Sequence, residues 1–216
     1  MLDFDVLTKQ LQKKLEGKYE FIFINGPVAR TPINTCTEEP ITYDWFVRKK
    51  DAANFFDSIM FDLDLLLPYI NQYWDQDFVG LWGFSMGAHT STLIARHLAP
   101  LPEFVWLMGL SPIPPSAKLS GYDPMIDHLS GFRVLSLMGD ADNGKDVFIN
   151  YKKSYETMWY KGAHDYCSDP DAYDRLCAWL EPVPNYDYTI DSYNIELFLS
   201  NNFSYKAVAQ IGQEYI

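Results

Sequence analysis

The sequence predicts an α/β fold, a three-layer sandwich built around a mainly parallel central sheet. Three observations carry this. Short apolar, aromatic-rich runs (19–24, 78–82, 104–110, 132–138 and 155–160) recur between stretches of helical period. Strands that alternate with helices imply crossover connections, hence parallel pairing with both faces covered. Several chemically reactive side chains fall just past strand ends, where ligands bind in such sheets. With 216 residues, 48% of them hydrophobic and 16% aromatic, the chain can fill one good core and fits one domain best.

In order, residues 5–15 read as an amphipathic helix, with Val6, Leu7, Leu11 and Leu15 on one face and lysines on the other. Gly17 is its expected C-terminal cap. Residues 19–24 are a strand, stopped by Asn25-Gly26-Pro27. Residues 28–50 read as one long loop carrying Pro32, Pro40 and the aromatics Tyr43, Trp45 and Phe46, and long loops in compact domains are often functional. Residues 52–73 have a helical pattern whose buried side is Phe55, Phe56, Ile59, Leu63, Leu66, Leu67 and Ile70, with Pro68 expected to kink or break it. A strand at 78–82 leads to a helix at 88–98, then a buried strand at 104–110 and a loop opening with Ser111-Pro112. A short helix at 125–129 and a strand at 132–138 follow. After Gly139-Asp140-Ala141-Asp142 come a helical connection (147–154) and a strand (155–160) ending in Lys161-Gly162-Ala163-His164. Asp169 then caps a helix over 170–180, with Pro170 at its first position.

The centre of this arrangement is Gly83-Phe84-Ser85-Met86-Gly87, a G-x-S-x-G pattern with a strand before it and a helix after it. Such a turn lifts the Ser hydroxyl clear of the sheet edge. Gly83 and Gly87 remove side chains that would collide where strand and helix cross. The N–H of Met86 lies at a helix N-terminus, where unpaired donors and the helix dipole favour an oxyanion. Serine is a weak nucleophile at neutral pH and needs a base, which itself needs an orienting carboxylate. Ser85, Asp142 and His164 occur in the order nucleophile, acid, histidine, each just past a strand. Small neighbours Gly162 and Ala163 let His164 approach the serine. His89 sits on the elbow helix and His97 at its far end, which leaves His128 as the rival base. Asp140 is the rival acid, and Asp146 reads as a solvated or capping residue.

The net charge of −12 and pI near 4.6 argue against nucleic-acid partners and anionic membranes, and mildly against polyanionic substrates. Cys36, Cys167 and Cys177 show no metal spacing and fit reduced thiols in the cytoplasm. The acidic start is unlike a signal peptide, and no apolar run has the length of a membrane span. The pattern implies neither a metal nor an organic cofactor.

These motifs resemble the FSH family of serine hydrolases, which are α/β-hydrolases, over about residues 7–180. Phe23-Ile24-Asn25-Gly26-Pro27 is similar to that family's second strand and Tyr43-Asp44-Trp45-Phe46 to its Trp-Phe stretch. Gly83-Phe84-Ser85-Met86-Gly87-Ala88 is similar to its elbow, with Met86 where Gln is usual. Gly139 with Asp142, and Gly162-Ala163-His164, resemble its acid and Gly-Gly-His motifs. The resemblance implies an α/β-hydrolase-like sandwich that cleaves carboxylic esters or thioesters through an acyl-enzyme, with Ser85 as nucleophile, His164 as base and Asp142 as orienter. Trp45, Phe46, Met86 and Ser111 would wall a pocket for a small neutral or apolar acyl group, with core filling the alternative role for the aromatics.

The family opens with a strand and a His-Gly oxyanion turn that lie ahead of the first helix here. That strand belongs inside the sheet, beside the nucleophile strand. Its place must be closed, because buried unpaired backbone groups cost about 1–3 kcal/mol each. Either strand 19–24 pairs directly with the nucleophile strand, or an added segment enters. The resemblance sets a hydrolase-like domain at 1–180 and an extension at 181–216, with strand-like runs at 186–190 and 193–199 and a helix-like run at 203–211. This extension would cover the exposed edge in cis or from a partner chain, as in a homodimer. Asn25-Gly26 is an alternative oxyanion turn. Two functions follow: a working esterase or thioesterase, or a weak or non-catalytic hydrolase-like binding protein with an incomplete oxyanion hole.

Overall fold

The computed structural model describes residues 4–30, 42–48, 50–51, 59–109, 129, 131–143, 145, 156–165, 167, 169–181 and 205–210. Helix α1 (Phe4–Lys14) ends in a basic turn, and Gly17 follows it at φ +79°, the left-handed conformation that closes a helix. Leu11 on this helix and Leu15 just past its end are buried. It leads into strand β1 (Tyr19–Ile24).

The stretch expected as one loop instead contains β2 (Val28–Arg30) and β3 (Thr42–Asp44), paired antiparallel, and β4 (Val47–Arg48), which pairs with β5 (Ile59–Met60). The expected helix over 52–73 is also corrected. Only α2 (Leu63–Ile70) is helical among its described residues, because Asp62 caps it by accepting the Asp64 N–H at 3.1 Å. Ile59, which the helical spacing claimed, is spent on β5. Pro68 lies inside α2 without ending it, and the Asn71 N–H still reaches the Leu67 carbonyl at 2.9 Å.

Strand β6 (Phe78–Phe84) runs into α3 (Met86–Ile94), extended by a 3-10 turn at Ala95–His97. Strands β7 (Phe104–Met108), β8 (Arg133–Gly139) and β9 (Glu156–Tyr160) follow, then α4 (Pro170–Leu180). As expected, Asp169 caps α4, taking the Asp171 N–H at 3.0 Å. The last element among the described residues is β10 (Tyr205–Gln210), a strand where the local pattern suggested a helix. The helices expected at 125–129 and 147–154, and the strands expected at 186–190 and 193–199, lie wholly or almost wholly outside the described residues.

Among the described residues six parallel strands form the central sheet in the order β1-β10-β6-β7-β8-β9. The direct β1–β6 pairing considered from sequence does not occur. Between them lies β10, whose Tyr205 to Gln210 match Tyr19 to Ile24 of β1 in register. On its other side Ala207 to Gln210 match Gly80 to Gly83 of β6. Two segments distant in sequence therefore supply the ladder partners that decide the conformation of 205–210, which is why local pattern failed there.

The period of two along β7 and β8 divides the core. Val105, Leu107 and Val134 face a layer containing Leu66, Ile70, Leu93 and Ile94 of α2 and α3. Trp106, Met108, Leu135 and Leu137 face Leu11 and Leu15 by α1 and Leu176, Trp179 and Leu180 of α4. On this second face Trp82 stacks on Trp106, with centroids 4.4 Å apart. Phe21 and Phe23 of β1 reach Trp82 edge-on at 5.9 and 6.5 Å, across strand β10, whose register positions 207 and 209 are both alanine.

Candidate active site

The β6–α3 turn carries the first side chain of the site. Ser85 has φ +51°, the one non-glycine residue with positive φ among those described. This strain persists because the surroundings fix it. A Cβ on Gly83 would stand 2.3 Å from the Gly87 carbonyl oxygen, so glycine is required where β6 and α3 cross. The Ser85 N–H donates to the Met108 carbonyl at 2.9 Å, anchoring the turn to β7. Met86 begins α3, so its N–H is one of the donors a helix leaves without an internal partner.

The carboxyl ends of β8 and β9 bring the other two. His164 Nε2 lies 3.0 Å from Ser85 Oγ, and His164 Nδ1 lies 2.9 Å from Asp142 Oδ2. The Asp142 side chain is 1% exposed while that of His164 is 29% exposed, so the carboxylate is shielded and the imidazole is open on one side. The three residues thus form one hydrogen-bonded chain running from buried carboxylate to hydroxyl.

Asp140, the rival acid, holds the histidine loop instead. Its Oδ1 accepts the Gly162 N–H at 3.1 Å, and the Ala141 N–H returns to the Gly162 carbonyl at 2.8 Å. A Cβ on Gly139 would meet the Ala163 and Gly162 carbonyl oxygens at 2.3 and 2.4 Å, so the two loops touch backbone to backbone. The Tyr160 hydroxyl donates to the Asp165 carbonyl at 2.6 Å and lies 3.1 Å from that of Ala163. Burial raises the Tyr160 pKa, which keeps this hydroxyl a donor.

Sequence reasoning missed Tyr160, and it missed Gly109, the residue directly after an apolar strand. Gly109 has φ +57°, and a Cβ there would lie 2.9 Å from the Phe84 ring and 3.2 Å from His164 Cε1. Phe84 itself packs against the imidazole at 5.3 Å. Gly109→Ala should therefore cost roughly 1–2 kcal/mol from backbone strain alone and displace His164. A thermal melt and ester turnover together check this, with kcat expected to fall and KM to stay near the wild-type value. A destabilised protein of unchanged kcat would show that this wall does not position the ring.

The residues expected to wall a pocket are placed as follows. Trp45 and Phe46 are 1% and 2% exposed, in the core layer that also contains Ala88 and against which Met86 packs. Trp45 meets Tyr69 and Phe46 meets Phe61, each at a steep angle. Ser111 and the rival base His128 lie outside the described residues. His89 is buried beside Phe61, and Asn25-Gly26 ends β1, one strand further from the elbow than β10. Among the described residues no group of His, Cys, Asp or Glu could hold a metal ion, and no helix is long and apolar enough to cross a membrane.

A family described as "Serine hydrolase (FSH1)" matches residues 3–183. The chain belongs to this serine hydrolase family. Among solved structures, esterase PE8 is 16% identical to this serine hydrolase, covering 82% of its chain and 84% of the esterase's, with a TM-score of 0.50. That likeness supports the α/β-hydrolase fold. A carboxylesterase from Mesorhizobium loti is also 16% identical, over 77% of this serine hydrolase and 90% of the other chain, at a TM-score of 0.46. No match was found among curated proteins.

Proposed function

We propose that this serine hydrolase cleaves a carboxylic ester or thioester of a small, neutral or apolar acyl group through an acyl-enzyme. The observation that carries the reading is the continuous chain from Asp142 through His164 to Ser85 Oγ at a strained strand-helix turn. Ser85 Oγ attacks the acyl carbon while His164 Nε2 takes its proton. The carbonyl oxygen gains charge and is met by the Met86 N–H at the start of α3. Collapse breaks the bond to the alcohol or thiol, which leaves with the proton held on His164. Water then attacks the acyl-enzyme with His164 again as base, releasing the acid and restoring Ser85. Asp142 keeps the imidazole in the tautomer whose Nε2 is free to accept.

The acidic balance of −12 supports a neutral substrate over a polyanionic one. That balance also supports a protein without nucleic-acid or anionic-membrane partners, and three cysteines read as reduced thiols support a cytoplasmic place of work. The alternative, a weak or non-catalytic hydrolase-like binding protein, rests on an oxyanion hole that lacks the family's His-Gly donor. A fluorophosphonate probe tests the reading. Labelling should fall on Ser85, disappear in Ser85→Ala and drop strongly in His164→Ala. A folded wild-type protein that takes up no probe would defeat the proposal.

A further inference from the structure

We infer that Tyr160 is a positioning residue: its buried hydroxyl grips the backbone on both sides of the base and so holds the His164 imidazole within reach of Ser85. The inference rests on the acyl-transfer reading above. Tyr160 is the last residue of β9 and is 3% exposed. Its hydroxyl donates to the Asp165 carbonyl at 2.6 Å and shares that proton with the Ala163 carbonyl at 3.1 Å. These carbonyls belong to the residues immediately before and after His164. One side chain thus pins the loop at two points, with the base between them.

The same residue also meets the acid loop. Its own carbonyl accepts the Asp140 N–H at 2.9 Å, and in the sheet it pairs with Gly139. The Asp142 N–H returns to the Gly139 carbonyl at 3.1 Å. Tyr160 is therefore bonded through its backbone to the turn that carries the carboxylate, and through its side chain to the loop that carries the imidazole. Its ring is the seat of that loop, because a Cβ on Gly162 would stand 2.8 Å from Tyr160 Cε2. The contacts of His164 with Asp142 at 2.9 Å and with Ser85 at 3.0 Å depend on where these two loops stand relative to each other. A displacement of about 1 Å at reacting groups can cost about 10²-fold in rate.

A second phenol provides the control. Tyr173 of α4 is 5% exposed, and its hydroxyl donates to the Cys167 carbonyl, further along the chain from His164. Burial raises the pKa of both phenols, so both remain donors at neutral pH. Removing either hydroxyl leaves a carbonyl short of its donor, so both losses destabilise the fold. Of the two hydroxyls, that of Tyr160 is the one bonded to the neighbours of the base.

Tyr160→Phe and Tyr173→Phe each delete one oxygen and keep the ring. Made in the full chain, both should melt at a lower temperature. Tyr160→Phe should lower kcat for a p-nitrophenyl ester by about 10–100-fold, with KM changed less than about threefold, while Tyr173→Phe keeps kcat within about threefold of wild type. Equal losses of kcat in the two folded variants, or wild-type kcat in Tyr160→Phe, would overturn the inference. Gly162→Ala lifts the same loop off the ring and leaves the hydroxyl in place, and a folded Gly162→Ala protein with wild-type kcat would also overturn it. A further readout needs no turnover. The downfield proton resonance of the His164 Nδ1–H bonded to Asp142 should broaden or move upfield in Tyr160→Phe and stay in place in Tyr173→Phe. If the wild-type protein shows no Ser85-dependent turnover while the resonance behaves in this way, the acyl-transfer reading falls and the grip on His164 stands. An unmoved resonance in Tyr160→Phe overturns the grip whatever the turnover.

Discussion

Ser85→Ala should lower kcat for a p-nitrophenyl ester by about 10⁴–10⁶-fold, as removal of a nucleophile does when base and acid act with it as a unit. The protein should stay folded. Ser85 is 9% exposed and its backbone, not its hydroxyl, makes the anchoring bonds, through its N–H to Met108 and its carbonyl to Ala88 and His89. His164→Ala should lose a similar factor, and the double variant should lose little more than either alone. Steady-state turnover with circular dichroism on the same samples checks all three. Additive losses in the double variant would mean that Ser85 and His164 do not work as the pair their 3.0 Å contact describes.

Asp142→Asn should cost about 10⁴-fold in kcat, because an amide presents an N–H to His164 Nδ1 and favours the tautomer that cannot accept from serine. Asp140→Asn should cost less than about tenfold, since the amide oxygen can still accept the Gly162 N–H, and a hydrogen bond of this kind is worth about 1 kcal/mol. The two aspartates are two residues apart and differ sharply in exposure. Asp142 is 2% exposed against the imidazole, while Asp140 is exposed on the loop side. Measuring kcat for both variants on one ester ranks them. The reverse ranking would move the orienting role to Asp140.

The elbow was legible because each of its requirements is local. A strand, a Gly-x-Ser-x-Gly turn and a helix are contiguous in sequence, and the strained φ of Ser85 is the outcome that pattern anticipates. Capping chemistry was equally readable at Asp169 and Gly17. The failures share a cause. Residues 59–60 and 205–210 read locally as parts of helical runs, and each becomes a strand because a partner remote in sequence offers an edge to pair with. Tyr160 and Gly109 escaped for a related reason. Their roles are contacts with a loop and a ring brought in by folding, and nothing adjacent in sequence announces them.

The place of β10 also sets the order of events during synthesis. Every other strand of the sheet is translated before it, yet two of its members cannot meet until it arrives. At about 5–20 residues per second, the nascent chain spends a second or more between the completion of α4 and the appearance of β10. During that interval β1 and β6 each present an unsatisfied edge, the feature that invites pairing with another chain. Ribosome-bound chains halted before Tyr205 should therefore be captured by chaperones more than chains that carry β10, which a pull-down of stalled nascent chains would measure.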